Sequence, residues 1–108
     1  MIDLAFHALA EPRRREILRV LADRELAAGD IAARFDVTRP AISQHLAVLR
    51  HAGLVAERRQ GTRRLYRTRR EGLEPLRDWV DGFWAGSLDA LKAAVEGDRA
   101  RAARDSHG

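Results

Sequence analysis

The chain has 108 residues, of which 45% are hydrophobic and 33% charged, so it predicts one small domain with a modest core and excludes a multidomain enzyme. A core of this size favours oligomerisation. The absence of cysteine excludes disulfides, thiolate metal ligands and thiol nucleophiles. We expect neither a signal peptide nor a membrane span, and therefore a cytoplasmic protein.

The first third of the chain predicts three short helices. Residues 2–9 form the first, and Glu11-Pro12 begins the second, because proline is favoured in the first turn of a helix. After a turn at residues 23–26, Gly29-Asp30 begins a third helix that ends at Asp36. Asp36 lies at a bend that often needs positive φ, a conformation that aspartate tolerates.

A fourth helix is predicted over residues 39–52, with Thr38 as its N-cap and Gly53 as its left-handed stop. Helical periodicity divides it into a core face and a free face. The core face carries Ile42, His45, Leu46 and Leu49. The free face carries Pro40, Ser43, Gln44, Ala47 and His51.

The remainder predicts a hairpin and a long helix. Two β-prone runs, residues 54–59 and 63–68, are joined by Gln60-Gly61-Thr62. A helix with apolar residues at spacings of three and four then extends from Glu71 to about Val95. Residues 97–108 predict a disordered tail, which leaves residues 1–96 as the domain.

This order of elements predicts a mainly α fold with a small β-hairpin (α+β). We interpret it as a winged helix-turn-helix with the order α-α-α-α-β-β-α, in which the second helix of the motif enters the DNA major groove.

Positive charge is concentrated in the middle of the chain, although the net charge is only +4. Residues 34–70 hold ten Arg against Asp36 and Glu57, which gives +8, whereas residues 1–33 carry −1 and residues 71–108 carry −3. Such clustering is typical of a surface that binds a phosphate backbone, and the alternative is a solvated charged face.

Two motifs resemble the ArsR/SmtB family of bacterial winged-helix repressors. They are the run RPAISQHLAVLRHAGLV over residues 39–55 and the pattern R-x-G-x-x-R-x-Y over residues 59–66. The similarity extends from about Ala8 to Trp84. It implies a homodimeric, operator-binding transcriptional repressor, often autoregulatory, whose first and last helices form the dimer interface.

Ser43 and Gln44 are the candidates for base readout, because a hydroxyl and a carboxamide can donate and accept at base edges. Residues at the helix flanks and arginines of the wing suit phosphate contacts, and strand alternation predicts that about half of the wing arginines touch DNA. For His45 the alternative is a half-buried core residue. The predicted DNA-binding residues are Thr38, Arg39, Pro40, Ser43, Gln44, His45, Arg50, Arg58, Arg59, Arg63 and Arg64.

Other arginines and the last helix also have two interpretations. The run at residues 13–15 is either a solvated face or a phosphate contact. The last helix carries more apolar surface than a small domain covers, which favours a dimer over an intradomain core. The predicted dimer-interface residues are Leu4, Phe6, Leu76, Trp79, Val80, Phe83, Trp84, Leu88 and Leu91.

No metal site, cofactor or catalysis is expected. The four histidines are scattered along the chain, the predicted last helix has none, and no nucleophile or phosphate-loop motif occurs. Double-stranded DNA and a second copy of the chain are the predicted partners. The alternative is a winged-helix interaction module that docks a protein through its aromatic last helix. An unidentified small-molecule effector at the dimer interface is compatible with DNA binding.

Overall fold

The computed structural model describes residues 2–105. Within them five helices and an antiparallel two-stranded hairpin follow one another in the predicted order, which confirms the winged helix-turn-helix. The elements are α1 (Ile2–Leu9), α2 (Pro12–Val20), α3 (Ala28–Phe35), α4 (Arg39–His51), β1 (Val55–Gln60), β2 (Arg63–Thr68) and α5 (Arg70–Asp105). The chain divides into two compact units, residues 1–76 and 77–108.

Local signals in the sequence determine where α3 and α4 end. Asp36 caps α3 in the left-handed conformation, with φ 53°, as expected for the bend of the motif. Thr38 is the N-cap of α4, and its Oγ1 accepts a hydrogen bond of 3.3 Å from the N–H of Ala41. Gly53 follows α4 at φ 77°, which confirms the predicted glycine stop.

The core of the first unit forms where α3 and α4 pack against the other helices and the start of the hairpin. Ile31 of α3 and Ile42 of α4 are fully buried, and burial of each such side chain contributes about 1.5–3 kcal/mol. The largest fully buried side chains are Ile17, Leu21, Ile31, Ile42, Leu46, Leu49, Leu54 and Val55. Among them, Ile42, Leu46 and Leu49 determine which side of α4 faces the core.

The turn of the hairpin is one residue shorter than predicted. Gln60 pairs with Arg63, so the turn consists of Gly61-Thr62, and Gly61 has φ 64°. Leu26 makes an isolated bridge to Tyr66, with a hydrogen bond in each direction. This bridge connects the hairpin to the segment between α2 and α3, for which only a turn was predicted.

Helix α5 continues to Asp105, so the predicted end near Val95 was wrong. Residues 97–105, which we expected to be disordered, are helical in the structure because alanine and arginine favour helix and Asp98 pairs with Arg101 one turn later. Residues 106–108 of the predicted tail lie outside the described residues.

Candidate nucleic-acid interface

The outer face of α4 presents polar side chains to solvent. Ser43 and Gln44 are both exposed, whereas Ile42 and Leu46 are buried on the opposite face, as the periodicity predicted. Because the buried face is anchored in the core, the orientation of the exposed face is fixed. Ser43 and Gln44 are therefore displayed on a rigid helix, where their hydroxyl and carboxamide groups can reach the edges of bases.

A cavity of about 490 Å³ lies beside the N-terminal turn of α4. Its lining includes Arg39 and Ser43 of α4, Thr62, Arg63 and Arg64 of the wing, and Asp30 of α3, which pairs with Arg63. Three guanidinium groups and two hydroxyls suit the negatively charged oxygens of a phosphate backbone. The structure thus brings together five hydrogen-bonding side chains of α4 and the wing, and all of them except Thr62 were predicted to bind DNA.

The two faces of the hairpin differ in what holds their arginines. Opposite residues in an antiparallel pair share a face, so Arg59 and Arg64 lie together, and Arg58 and Arg63 lie on the other face. Arg63 donates to Asp30 over 2.8 Å. Arg58 donates to Glu25. Both partners come from the first third of the chain.

Glu57 links the hairpin to α4. Its carboxylate accepts a hydrogen bond from Arg50 of α4 and lies 3.9 Å from Nε of Arg64. Burial raises the pKa of Tyr66, and the negative charge of the nearby Glu57 carboxylate raises it further. Sequence reasoning named Arg50 and Arg64 but missed Glu57, although it is one of only two acidic residues in the +8 segment.

His45 lies on α4, at the inner edge of its exposed face, and contacts α2. Its Nδ1 is 3.4 Å from Nη1 of Arg14, and the imidazole is half-buried. Burial lowers the pKa of His45, and the Arg14 guanidinium lowers it further. These contacts favour the half-buried alternative for His45 over a phosphate contact.

The arginine run at residues 13–15 secures the first two helices. Arg14 donates from Nε to the carbonyl of Ala8 over 2.6 Å, and Arg15 donates to the carbonyl of Leu9 over 2.7 Å. Arginines at these positions satisfy carbonyl groups that the last turn of α1 leaves without a helical partner. Neither predicted interpretation, a solvated face or a phosphate contact, included this role.

Comparison with known proteins identifies the family. The sequence model described as "Bacterial regulatory protein, arsR family" matches residues 11–57. The HTH-type transcriptional regulator Rv2034 of Mycobacterium tuberculosis is 43% identical over 89% of this chain and 90% of its own length. The chain belongs to the ArsR family. ArsR-family proteins are transcriptional regulators, so this chain is a DNA-binding regulator and not an enzyme.

Two further relatives of this ArsR-family chain add to the comparison. The transcriptional repressor SdpR of Bacillus subtilis is 35% identical over 72% of this chain and 87% of its own length. The solution structure of a homodimeric winged helix-turn-helix DNA-binding domain, Mb0332 from Mycobacterium bovis, superposes with a TM-score of 0.64 at 34% identity, covering 78% of each chain.

The second unit of the ArsR-family chain carries a row of exposed apolar side chains on α5. The members with the largest exposed fractions are Phe83, Trp84, Leu88 and Leu91. Trp79 contacts Phe83 edge to face, with ring centroids 4.8 Å apart. Val80 and Phe6 are exposed and Leu4 is half-buried, so they stay candidates for a dimer interface.

Leu76 was predicted to lie in the dimer interface, but the structure places it in the core. It is only 8% exposed and belongs to the core cluster of its own protomer, together with Leu73 at its edge. The intradomain alternative therefore holds at the start of α5.

Among residues 2–105, none of the helices combines the length and the hydropathy that a membrane span requires. The same residues contain no group of three His, Asp or Glu side chains that could hold a metal ion.

Proposed function

We propose that this ArsR-family regulator is a sequence-specific repressor that binds a near-palindromic operator as a homodimer and controls its own promoter in the cytoplasm. The observation that carries the proposal is the exposed face of α4. Ser43 and Gln44 project from a helix that the core holds in place, and Ser43 shares a cavity with Arg39, Arg63 and Arg64. Groups suited to bases and to phosphates therefore lie side by side.

The exposed apolar face of α5 supports the proposed homodimer. The apolar stripe of this helix is half-buried at Leu73 and buried at Leu76, and beyond Leu76 the same stripe continues with exposed side chains such as Trp84 and Leu88. Apolar rows of this length on a helix are covered in solution by a partner, and a second copy presents the same stripe. Two-fold pairing would set two recognition helices about 34 Å apart, one turn of DNA.

The test is fluorescence anisotropy with the purified chain, using its own upstream DNA and a scrambled duplex of equal length at several salt concentrations. We expect the upstream DNA to bind about 1,000-fold more tightly or better, with a steep salt dependence on both duplexes. Equal binding of both refutes autoregulation and directs the search to genome-wide site selection. Absence of binding at physiological salt refutes DNA recognition and favours the protein-docking alternative.

Two variants separate base readout from phosphate contact. Gln44→Ala should weaken operator binding by about 1–3 kcal/mol and leave scrambled DNA almost unchanged, because its carboxamide is assigned to a base edge. Arg39→Ala should weaken both duplexes to a similar degree. Equal losses on both duplexes for Gln44→Ala contradict the assignment. A reporter fused to the promoter distinguishes repression from activation. A small molecule whose addition abolishes DNA binding while the dimer stays intact is identified as an effector.

A further inference from the structure

Glu57 is an unexpected residue on a surface assigned to DNA. Residues 34–70 carry ten arginines, and Glu57 is one of two carboxylates among them. Its side chain is only 20% exposed, whereas Arg50 and Arg64 beside it are 53% and 56% exposed. The carboxylate is thus set back between two guanidinium groups that reach into solvent.

The contacts of Glu57 span two elements. One carboxylate oxygen accepts from Nη1 of Arg50, at the C-terminal end of α4, and the other faces Nε of Arg64, on β2, at 3.9 Å. Tyr66 is opposite Glu57 in the register, and its side chain lines the same cleft. One negative group therefore accepts a hydrogen bond from the recognition helix and forms an ion pair with the wing.

These groups surround a single cleft between α4 and the hairpin. Its volume is about 220 Å³. The cleft is lined by Ser43, Leu46, Ala47, Arg50, Glu57, Arg64 and Tyr66. Ser43 is a candidate for base readout, so Glu57 holds Arg50 and Arg64 next to the part of α4 that is assigned to the bases.

Physical chemistry gives two opposite expectations for this carboxylate. As a bare charge it repels DNA phosphates, so its removal should strengthen binding to every duplex. As an anchor it restrains two long side chains, which then lose less rotamer freedom when they bind DNA. An anchored arginine also meets phosphate in one geometry, which favours one register of the protein on DNA.

We propose that Glu57 is a positioning residue that sets specificity. It orients Arg50 and Arg64 toward the phosphodiester backbone so that the wing and the recognition helix engage DNA in one fixed register. The inference rests on the proposed function and goes beyond it, because it assigns part of the discrimination between operator and other DNA to a residue that touches neither bases nor phosphates.

The experiment compares Glu57→Gln with the matched control Glu25→Gln. Each variant removes one carboxylate charge beside a wing arginine, but Glu25 contacts Arg58 on the other face of the hairpin and nothing on α4 that the structure describes. Anisotropy titrations use an operator duplex obtained by site selection with the wild-type protein, and a scrambled duplex. For Glu57→Gln we expect scrambled DNA to bind more tightly and the ratio of operator to scrambled affinity to fall at least tenfold. Glu25→Gln should keep that ratio.

A measurement on the free protein isolates the positioning role. The ¹H–¹⁵N signals of the Arg50 and Arg64 side chains should show restrained Nε–H groups in the wild type and faster motion in Glu57→Gln, while thermal melting stays within a few degrees. Arg64→Ala should also cost less operator affinity in the Glu57→Gln background than in the wild type, because the orientation of Arg64 is already lost.

The outcomes separate the two proposals. An unchanged affinity ratio in Glu57→Gln, or arginine signals as restrained as in the wild type, overturns the positioning role and leaves the repressor function intact. Equal loss of the ratio in Glu25→Gln also overturns it, because the effect is then one of net charge. A wild-type protein for which site selection yields no preferred duplex overturns the proposed function, and the role of Glu57 falls with it.

Discussion

Gly72 allows the first turn of α5 to pack directly against the residue that ends the recognition helix. A Cβ at position 72 would lie 2.0 Å from the carbonyl oxygen of Gly53 and 2.9 Å from its carbonyl carbon. Both atoms belong to the backbone, so no side-chain rotation relieves the contact. To reach the about 3.3 Å of a normal carbon–oxygen contact, the turn must move by about 1.3 Å.

Gly72→Ala is therefore expected to destabilise the protein. Overpacking costs about 1–3 kcal/mol, and the displacement strains the hydrogen bonds from Arg69 to the carbonyls of Leu54 and Gly53, each worth about 1 kcal/mol. Alanine returns about 1 kcal/mol through its higher helix propensity. The net loss is about 2 kcal/mol, which lowers Tm by about 8–16 °C in a domain of this size.

The assay is thermal and urea unfolding at one fixed protomer concentration, because dimerisation couples stability to concentration. Gly29→Ala is the matched control, since position 29 is also helical and a Cβ there meets no atom within 4 Å. Its stability should stay equal or rise by up to about 1 kcal/mol. A Gly72→Ala protein as stable as the wild type would refute the close approach of α5 to Gly53.

Three further perturbations have defined outcomes. The lowered pKa of His45, caused by burial and by Arg14 and Arg13 against the opposing effect of Glu11, means that the unfolded chain binds this proton more readily. The neutral imidazole therefore contributes its full stabilisation above the unfolded pKa of 6.5, and this contribution is lost as pH falls through the lower pKa of the folded state. In urea titrations, the free energy of unfolding of His45→Gln should fall less between pH 7 and pH 5 than that of the wild type. At Asp36, with φ 53°, stability should follow the order Gly, Asp, Ala, with Asp36→Ala costing about 1 kcal/mol, and the reverse order in urea unfolding would contradict the left-handed cap. Trp84, which is 64% exposed, should be required for the dimer, so sedimentation equilibrium should show monomers for Trp84→Glu and dimers for the control Asp89→Lys on the opposite side of α5.

Features that depend on neighbouring residues were predictable from the sequence. The ends of α4 follow from Thr38 and Gly53, and its buried and exposed faces follow from periodicity, because both are local properties of a helix. The extent of α5 was underestimated, since composition alone does not show that residues 97–105 continue a helix already formed.

Contacts between distant segments were not predictable in the same way. Arg14 meets His45 across 31 positions of the chain, and the wing arginines meet Glu25 and Asp30 across 33 positions. No periodicity relates such residues, because their proximity follows from the packing of complete elements. For Glu57 the sequence did contain a signal, an acidic residue in a basic strand, but its partner on α4 becomes visible only once the hairpin is in place.

The ion pairs change how the central positive charge should be counted. Arg58 and Arg63 lie on one face of the hairpin and are paired with carboxylates from the weakly acidic first third of the chain. Arg59 and Arg64 lie on the other face, which borders the recognition helix through Glu57. The first third thus supplies carboxylate partners for two wing arginines and lowers the net positive charge around them. Because each phosphate contact contributes to the salt dependence of binding, that dependence should be shallower than ten arginines alone would give.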